Sequence, residues 1–216
     1  MTMSVLPTAQ QRSRTGFNVG RSLFLSKRFR RDDVILLGME LVQPSAEYKD
    51  SFIEAVKEFQ NDADYTHRKK WYQGLSIPEL EKDFKSFAEN ERSQANVGHL
   101  PEKYDVPRSE YWLIDKGEFI GRVTLRHRIN ERLLVIGGHL GFDIRPSKRG
   151  QGYGNKALEL AIPKAKELGL TKILLTCDIR NTASRKIIEK YGGVLENQIP
   201  NPEMGHDALR YWVGIP

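Results

Sequence analysis

Residues 149–154 read Arg149, Gly150, Gln151, Gly152, Tyr153, Gly154, between a strand-like run over 138–144 and a helix-like run over 155–168. Alternating glycines leave backbone N–H groups uncovered. With the positive end of the following helix and the charge of Arg149, such a loop suits a phosphate or pyrophosphate. Two glycine loops are excluded by spacing. A Walker loop ends in Gly-Lys-Ser/Thr, whereas Gly154 is followed by Asn155 and Lys156. A dinucleotide fingerprint needs G-x-G-x-x-G, and counting from Gly150 and Gly152 the last position is Asn155.

Arg149, Gly152 and Gly154 instead fit R/Q-x-x-G-x-G/A, the pyrophosphate loop of the GNAT N-acetyltransferases. After the helix comes an aliphatic and β-branched run, Lys172 to Cys177, of strand length. Asn181 and Ser184 then open a second helix that stops at Gly192 and Gly193. This order resembles the second half of the GNAT core, and Gly138 to Pro146 resembles its fourth strand. The resemblance runs from Met39 to the C-terminus and is strongest from Tyr111 onward. Leu125 to Arg128, Gly138 with His139, Asn181 with Ser184, and Tyr211 with Trp212 resemble a bacterial branch of predicted acetyltransferases.

The resemblance implies an α+β fold: a central mixed, mostly antiparallel sheet with flanking helices and a splayed strand pair that admits acetyl-CoA. It implies acetyl transfer to an amine of a small molecule or peptide, by direct attack in a ternary complex, without a metal. A homodimer is compatible with it. The alternative is a non-catalytic CoA-binding sensor or interaction module of the same fold.

Acetyl transfer needs the pyrophosphate held, the thioester positioned, the amine deprotonated and the thiolate stabilised. Backbone N–H groups from Gly150, Gln151, Gly152, Tyr153 and Gly154, with the Arg149 charge, answer the first need. By resemblance the pantetheine runs along the backbone near Phe142 and Ile144, with Asn181 and Ser184 as further contacts; Asn181 equally reads as a helix N-cap. Family members carry a Glu on the fourth strand, and the matching position is His139. A His accepts a proton near neutral pH, and a His bonded between strands is the competing reading. Asp178 and His127 are weaker bases. The tyrosine that protonates the thiolate falls seven residues beyond Asn181 in the family, where this chain has Ile188. Tyr191, Ser184 or solvent would then supply the proton. A zinc site built on His127 and His139 lacks a third ligand at metal-binding spacing.

The elements that must position these groups follow from periodicity. Phe52, Ile53, Val56 and Phe59 predict one helix, and Leu80, Phe84 and Phe87 a second over 77–87. Between them, Asp62, Asp64, Tyr65, Trp71 and Tyr72 form an acidic, aromatic loop suited to a cationic amine. Residues 91–107 read as loop, and Tyr111 to Asp115 with Phe119 to Arg128 as a strand pair around Lys116 and Gly117. Pro163 predicts a kink or break in the helix after the phosphate loop.

The net charge of +6 is uneven: residues 1–38 hold seven bases and two acids, so the remainder is near neutral and carries no nucleic-acid signal. Residues 1–38 read as a basic, disordered extension and 39–216 as the acetyltransferase domain; the tail's composition also suits a transit peptide or a nucleic-acid-binding arm, and with Met39 as the expected natural start it would be upstream sequence. No apolar stretch in the tail has the length of a signal peptide or membrane span. One cysteine forbids an internal disulfide and fits a reducing cytoplasm. Cys177 reads as a small buried hydrophobe, with an acetyl-cysteine intermediate as the rival.

Overall fold

The computed structural model of the chain describes residues 38–63, 69–96, 106–202 and 205–216. The basic extension lies outside the described residues except for Gly38, as do Asp64 and Tyr65 of the acidic, aromatic loop. Four strands, β1 (Glu40–Val42), β2 (Arg108–Asp115), β3 (Glu118–Arg126) and β4 (Leu140–Ile144), form an antiparallel sheet in that order. Lys116 and Gly117, both with positive φ, make the two-residue turn between β2 and β3, as their sequence suggests. Strands β5 (Lys172–Asp178), β6 (Val194–Ile199) and β7 (Ala208–Gly214) form a second antiparallel sheet in the order β5-β7-β6.

Helices cover both faces of the first sheet. On one lie α1 (Lys49–Asn61), α2 (Lys69–Gln73), α3 (Ile77–Lys82) and α4 (Phe84–Ser93). Helix α1 buries Phe52, Val56 and Phe59, and the Phe52 ring stacks on Trp112 at 4.7 Å. A short helix, α5 (Glu131–Val135), precedes β4. On the other face α6 (Tyr153–Glu167) packs Ala157, Leu158, Ala161 and Ala165 into a core with Leu113, Ile120, Val123 and Leu125. Burial of each large apolar side chain contributes roughly 1.5–3 kcal/mol. Helix α7 (Thr182–Lys190) follows β5.

The structure revises four sequence expectations. The helix predicted over 77–87 breaks at Asp83, with φ −146° and ψ 67°, whose carboxylate accepts the Ser86 N–H and caps α4. Helix α4 then continues into the stretch read as loop, because Ala88 and Glu91 are both buried on its inner face. Pro163 breaks nothing. It sits on the exposed side of α6, which runs on past it to Glu167. The fourth strand begins at Leu140 rather than Gly138.

Candidate functional site

That late start of β4 creates the site. His139 donates its N–H to the Leu174 carbonyl at 2.8 Å, and the Leu174 N–H donates to His139 Nδ1 at 3.0 Å. Gly138, at φ +62°, makes this possible, since a Cβ there would lie 2.2 Å from the Leu174 carbonyl oxygen. Beyond this junction β4 and β5 belong to separate sheets, and a cavity of about 610 Å³ opens between them. Its walls are residues 140–144 of β4, 175–178 of β5, the loop after β4 and the first turns of α7. Phe59 reaches it from α1.

The loop after β4 is held from below. A single 3-10 turn, Pro146–Lys148, is fixed by Glu58, which accepts the Ser147 N–H and hydroxyl at 3.0 Å each and pairs with Arg145 at 2.7 Å. Burial raises the Glu58 pKa, but these donors outweigh it and hold the carboxyl below its usual range. Gly152, at φ +89°, caps α6 and leaves its first N–H groups bare. Arg149, Gly150, Tyr153, Gly154, Phe142, Ile144, Asn181 and Ser184 all line the cavity. Gln151 and Gly152 do not; Gln151 donates to the Ser147 carbonyl at 3.0 Å instead. The Tyr153 ring is in the core, its hydroxyl 3.0 Å from Asp115, so its backbone is what faces the loop. Arg149 is engaged with Asp62 at 2.8 Å.

A cavity of this size, bounded by a splayed strand pair and a glycine loop that starts a helix, has room and donors for a nucleotide-linked pantetheine. Residues 41–194 match the sequence model described as acetyltransferase (GNAT) domain. The chain belongs to the GNAT acetyltransferase family. It is an acyltransferase whose co-substrate is acetyl-CoA. No curated protein sequence matches the acetyltransferase. Its fold is that of RimL, a ribosomal L7/L12 alpha-N-protein acetyltransferase solved with coenzyme A: TM-score 0.62, 15% identity, 84% of this chain and 96% of that one. Microcin C7 self immunity acetyltransferase MccE, solved with acetyl-CoA and AMP, gives 0.58 and 17% over 82% and 93%. A SpeG spermidine N-acetyltransferase chimera from Vibrio cholerae and hSSAT gives 0.54 and 16% over 82% and 95%.

The candidates for proton transfer fare differently. With Nδ1 accepting a backbone N–H, the neutral His139 ring carries its proton on Nε2 and offers no lone pair to an amine. Burial, then the charges of Arg126 and Lys172, push its pKa down, and it is not part of the cavity wall. His127 is also outside the wall, its Nε2 2.8 Å from the Ser109 hydroxyl. Asp178 lines the cavity. Burial raises its pKa, but the Arg180 hydrogen bonds and charge more than reverse this. Among the described residues no group of three His, Cys, Asp or Glu is arranged to hold a metal, and no helix is long and apolar enough to cross a membrane.

Tyr191 ends α7 with its hydroxyl 3.5 Å from Glu159 and lies outside the wall; burial, then Glu159, push its pKa up to about 12. Tyr191→Phe should therefore leave the alkaline limb of the pH–rate profile in place; a displaced limb would return the acid role to this tyrosine. Ile188 is fully buried and lines the cavity where the family tyrosine is expected. Ser184 lines it too, and its N–H donates to Asn181 Oδ1 at 2.9 Å, so Asn181 is both N-cap and wall. Cys177 is also in the wall, nearly buried, and burial followed by Asp178 push its thiol up to about 11, which disfavours a thiolate nucleophile.

Sequence reasoning passed over Asp143. Asp143 is buried and lines the cavity, and its carboxylate accepts the Tyr72 hydroxyl and pairs with Arg122 at 3.5 Å. It alternates with Phe142 and Ile144 along β4, and its partners come from α2 and β3, remote in sequence. Trp71 lies over the Arg122 guanidinium at 3.6 Å and Tyr72 stacks on Phe59 at 3.7 Å. Two aromatics of the loop assigned to an incoming amine, Trp71 and Tyr72, thus grip the chain's own arginine and carboxylate. Behind Arg122, Glu110 pairs with Arg108 at 3.0 Å, and Glu91 is buried beside them.

Burial, then Glu110, push the Glu91 carboxyl up from 4.5 to about 7. The folded state therefore holds a proton that the unfolded chain loses near pH 4.5, and stability falls as pH rises through that window. Glu91→Gln should raise Tm at pH 8, by up to roughly 3 kcal/mol of stability, and change it little at pH 4.5. Equal melting shifts at both pH values would refute this account of Glu91.

Proposed function

We propose that the acetyltransferase moves the acetyl group of acetyl-CoA to an amine of a small molecule or peptide by direct attack in a ternary complex. One observation carries this reading: the glycine loop, the first turns of α7, Asp143 and Phe59 all line the same opening between β4 and β5. A thioester lying in the opening is then within reach of an amine arriving beside a buried carboxylate. Asp143, oriented by Tyr72 and Arg122, takes the amine's proton as nitrogen attacks the thioester carbon. The N-terminal turn of α7 and the Ser184 hydroxyl face the departing thiolate. His139 holds the strands together where the opening begins. The names of RimL, acting on a protein alpha-amine, and SpeG, acting on spermidine, support an amine acceptor.

The test is release of free CoA over a panel of amines, polyamines, aminoglycosides and peptides. At least one should release CoA well above hydrolysis, with an acetylated product of matching mass. Tight acetyl-CoA binding without transfer to any of them would favour a CoA-binding module instead. We also propose that residues 1–38 are dispensable. A chain starting at Met39 should unfold cooperatively and bind acetyl-CoA as the full chain does; loss of the cooperative transition would make the extension part of the domain.

A further inference from the structure

Asp143 ends a row of buried polar and ionisable groups that crosses the sheet on the side away from α6. Helix α4 contributes Glu91 and Gln94, β2 Arg108 and Glu110, β3 Arg122, and α2 the hydroxyl of Tyr72. Arg122 stands between two carboxylates, 3.5 Å from Asp143 and 3.9 Å from Glu110. It is only 6% exposed. Trp71 covers its guanidinium. Burial alone would lower its pKa; Asp143 and Glu110 overturn this, so it stays charged throughout. Glu110 is fixed further by the Thr124 hydroxyl at 2.9 Å. Glu91 is 6% exposed, and among the described residues its Oε2 accepts no hydrogen bond. Gln94 Oε1, one turn further along α4, is in the same position. An unsatisfied buried carboxylate oxygen is costly in either protonation state and costlier when charged, so it calls for an explanation.

We propose that Glu91 is a positioning residue for the acetyl-transfer step: its charge, relayed through the shared cation Arg122, sets the potential at Asp143. The proposal rests on the reading of Asp143 as the proton acceptor. With Glu91 neutral, the Arg122 charge is offset by Glu110 and Asp143. With Glu91 ionised, a third negative charge is added to the row. The potential at Asp143 becomes more negative, strengthening its hold on an ammonium and on a proton. Little solvent penetrates the row, so the coupling is screened far less than one at the surface. Burial and Glu110 place the Glu91 transition at about 7, which puts this change inside the physiological range.

The test follows the Asp143 side-chain carboxyl carbon by NMR in protein labelled with carbon-13 aspartate, the resonance being assigned by its absence in Asp143→Asn. In the unaltered protein that carbon should shift with a midpoint near neutral pH. In Glu91→Gln the neutral-range shift should vanish, and in Glu91→Asp, which keeps the acid, it should return at a displaced midpoint. In kinetics, the ratio of kcat/KM at pH 8 to that at pH 6 should fall about three- to tenfold in Glu91→Gln, relative to the unaltered protein with the same amine. A neutral-range shift at Asp143 that survives Glu91→Gln would overturn the proposal, as would its absence from the unaltered protein. Failure of every amine to be acetylated would remove the function proposed above, while the carbon titration still decides the role of Glu91.

Discussion

Changing Asp143 to asparagine should lower kcat by roughly 10²–10⁴-fold, the usual contribution of a positioned general base. Acetyl-CoA affinity, measured by calorimetry, should stay within about threefold, since the glycine loop is untouched. Asparagine keeps the shape of the side chain and can still accept the Tyr72 hydroxyl, so the geometry is preserved and the charge alone is lost. Some stability should go as well, because Arg122 then keeps its pairing with Glu110, at 3.9 Å, but loses the one with Asp143, and a buried cation short of a partner is costly. The melting temperature separates that loss from the catalytic one. His139→Gln is the contrast. It disturbs the bond that closes β4 against β5, so its main effect should be on stability, with turnover per folded molecule falling far less than in Asp143→Asn. The reverse order, with Asp143→Asn near normal and His139→Gln inactive, would restore the histidine as base.

What the sequence made legible was whatever is written locally. The glycine loop, the Asn181 cap, the turn at Lys116 and Gly117 and the helical spacing of α1 depend on residues within a few positions of one another. They reappear in the structure where the spacing placed them. The break at Asp83 was hidden because Leu80, Phe84 and Phe87 keep helical spacing across it, and only the Asp83 carboxylate on the Ser86 N–H reveals two helices. The proton-transfer groups were least legible, for a related reason. His139 carries the right chemistry at the right position along the chain, but Leu174, 35 residues away, occupies its Nδ1. Asp143 becomes a candidate only when Tyr72 and Arg122 are brought to it, across 71 residues in the case of Tyr72. Periodicity reports which face a side chain takes; it does not report what meets it there.

Gly152→Val should abolish measurable acetyl-CoA binding in calorimetry while leaving a folded protein. Two costs coincide. The φ of +89° at Gly152 lies where a β-branched residue is strained, by roughly 1–3 kcal/mol. Relief of that strain would move the N–H groups of the first turn of α6, on which the proposed hold on the pyrophosphate depends, and the valine methyls would stand over them. Arg149→Ala should be milder, weakening acetyl-CoA by about 1.5–3 kcal/mol, the worth of a charge-assisted hydrogen bond. Even that is an upper figure, because Arg149 already pairs with Asp62 at 2.8 Å, and the pyrophosphate must share the guanidinium or draw it away. Gly154 gives an internal comparison, since a Cβ there would lie 2.8 Å from the tip of Ile187 and 3.5 Å from the Phe142 ring. Gly154→Ala therefore crowds a flexible side chain within the wall without changing the loop's backbone, and a partial loss of affinity is expected. The order of loss should be Gly152→Val first, then Arg149→Ala and Gly154→Ala. A folded Gly152→Val protein that binds acetyl-CoA normally would move the pyrophosphate off this loop, and with it the orientation of the thioester on which the placing of Asp143 depends.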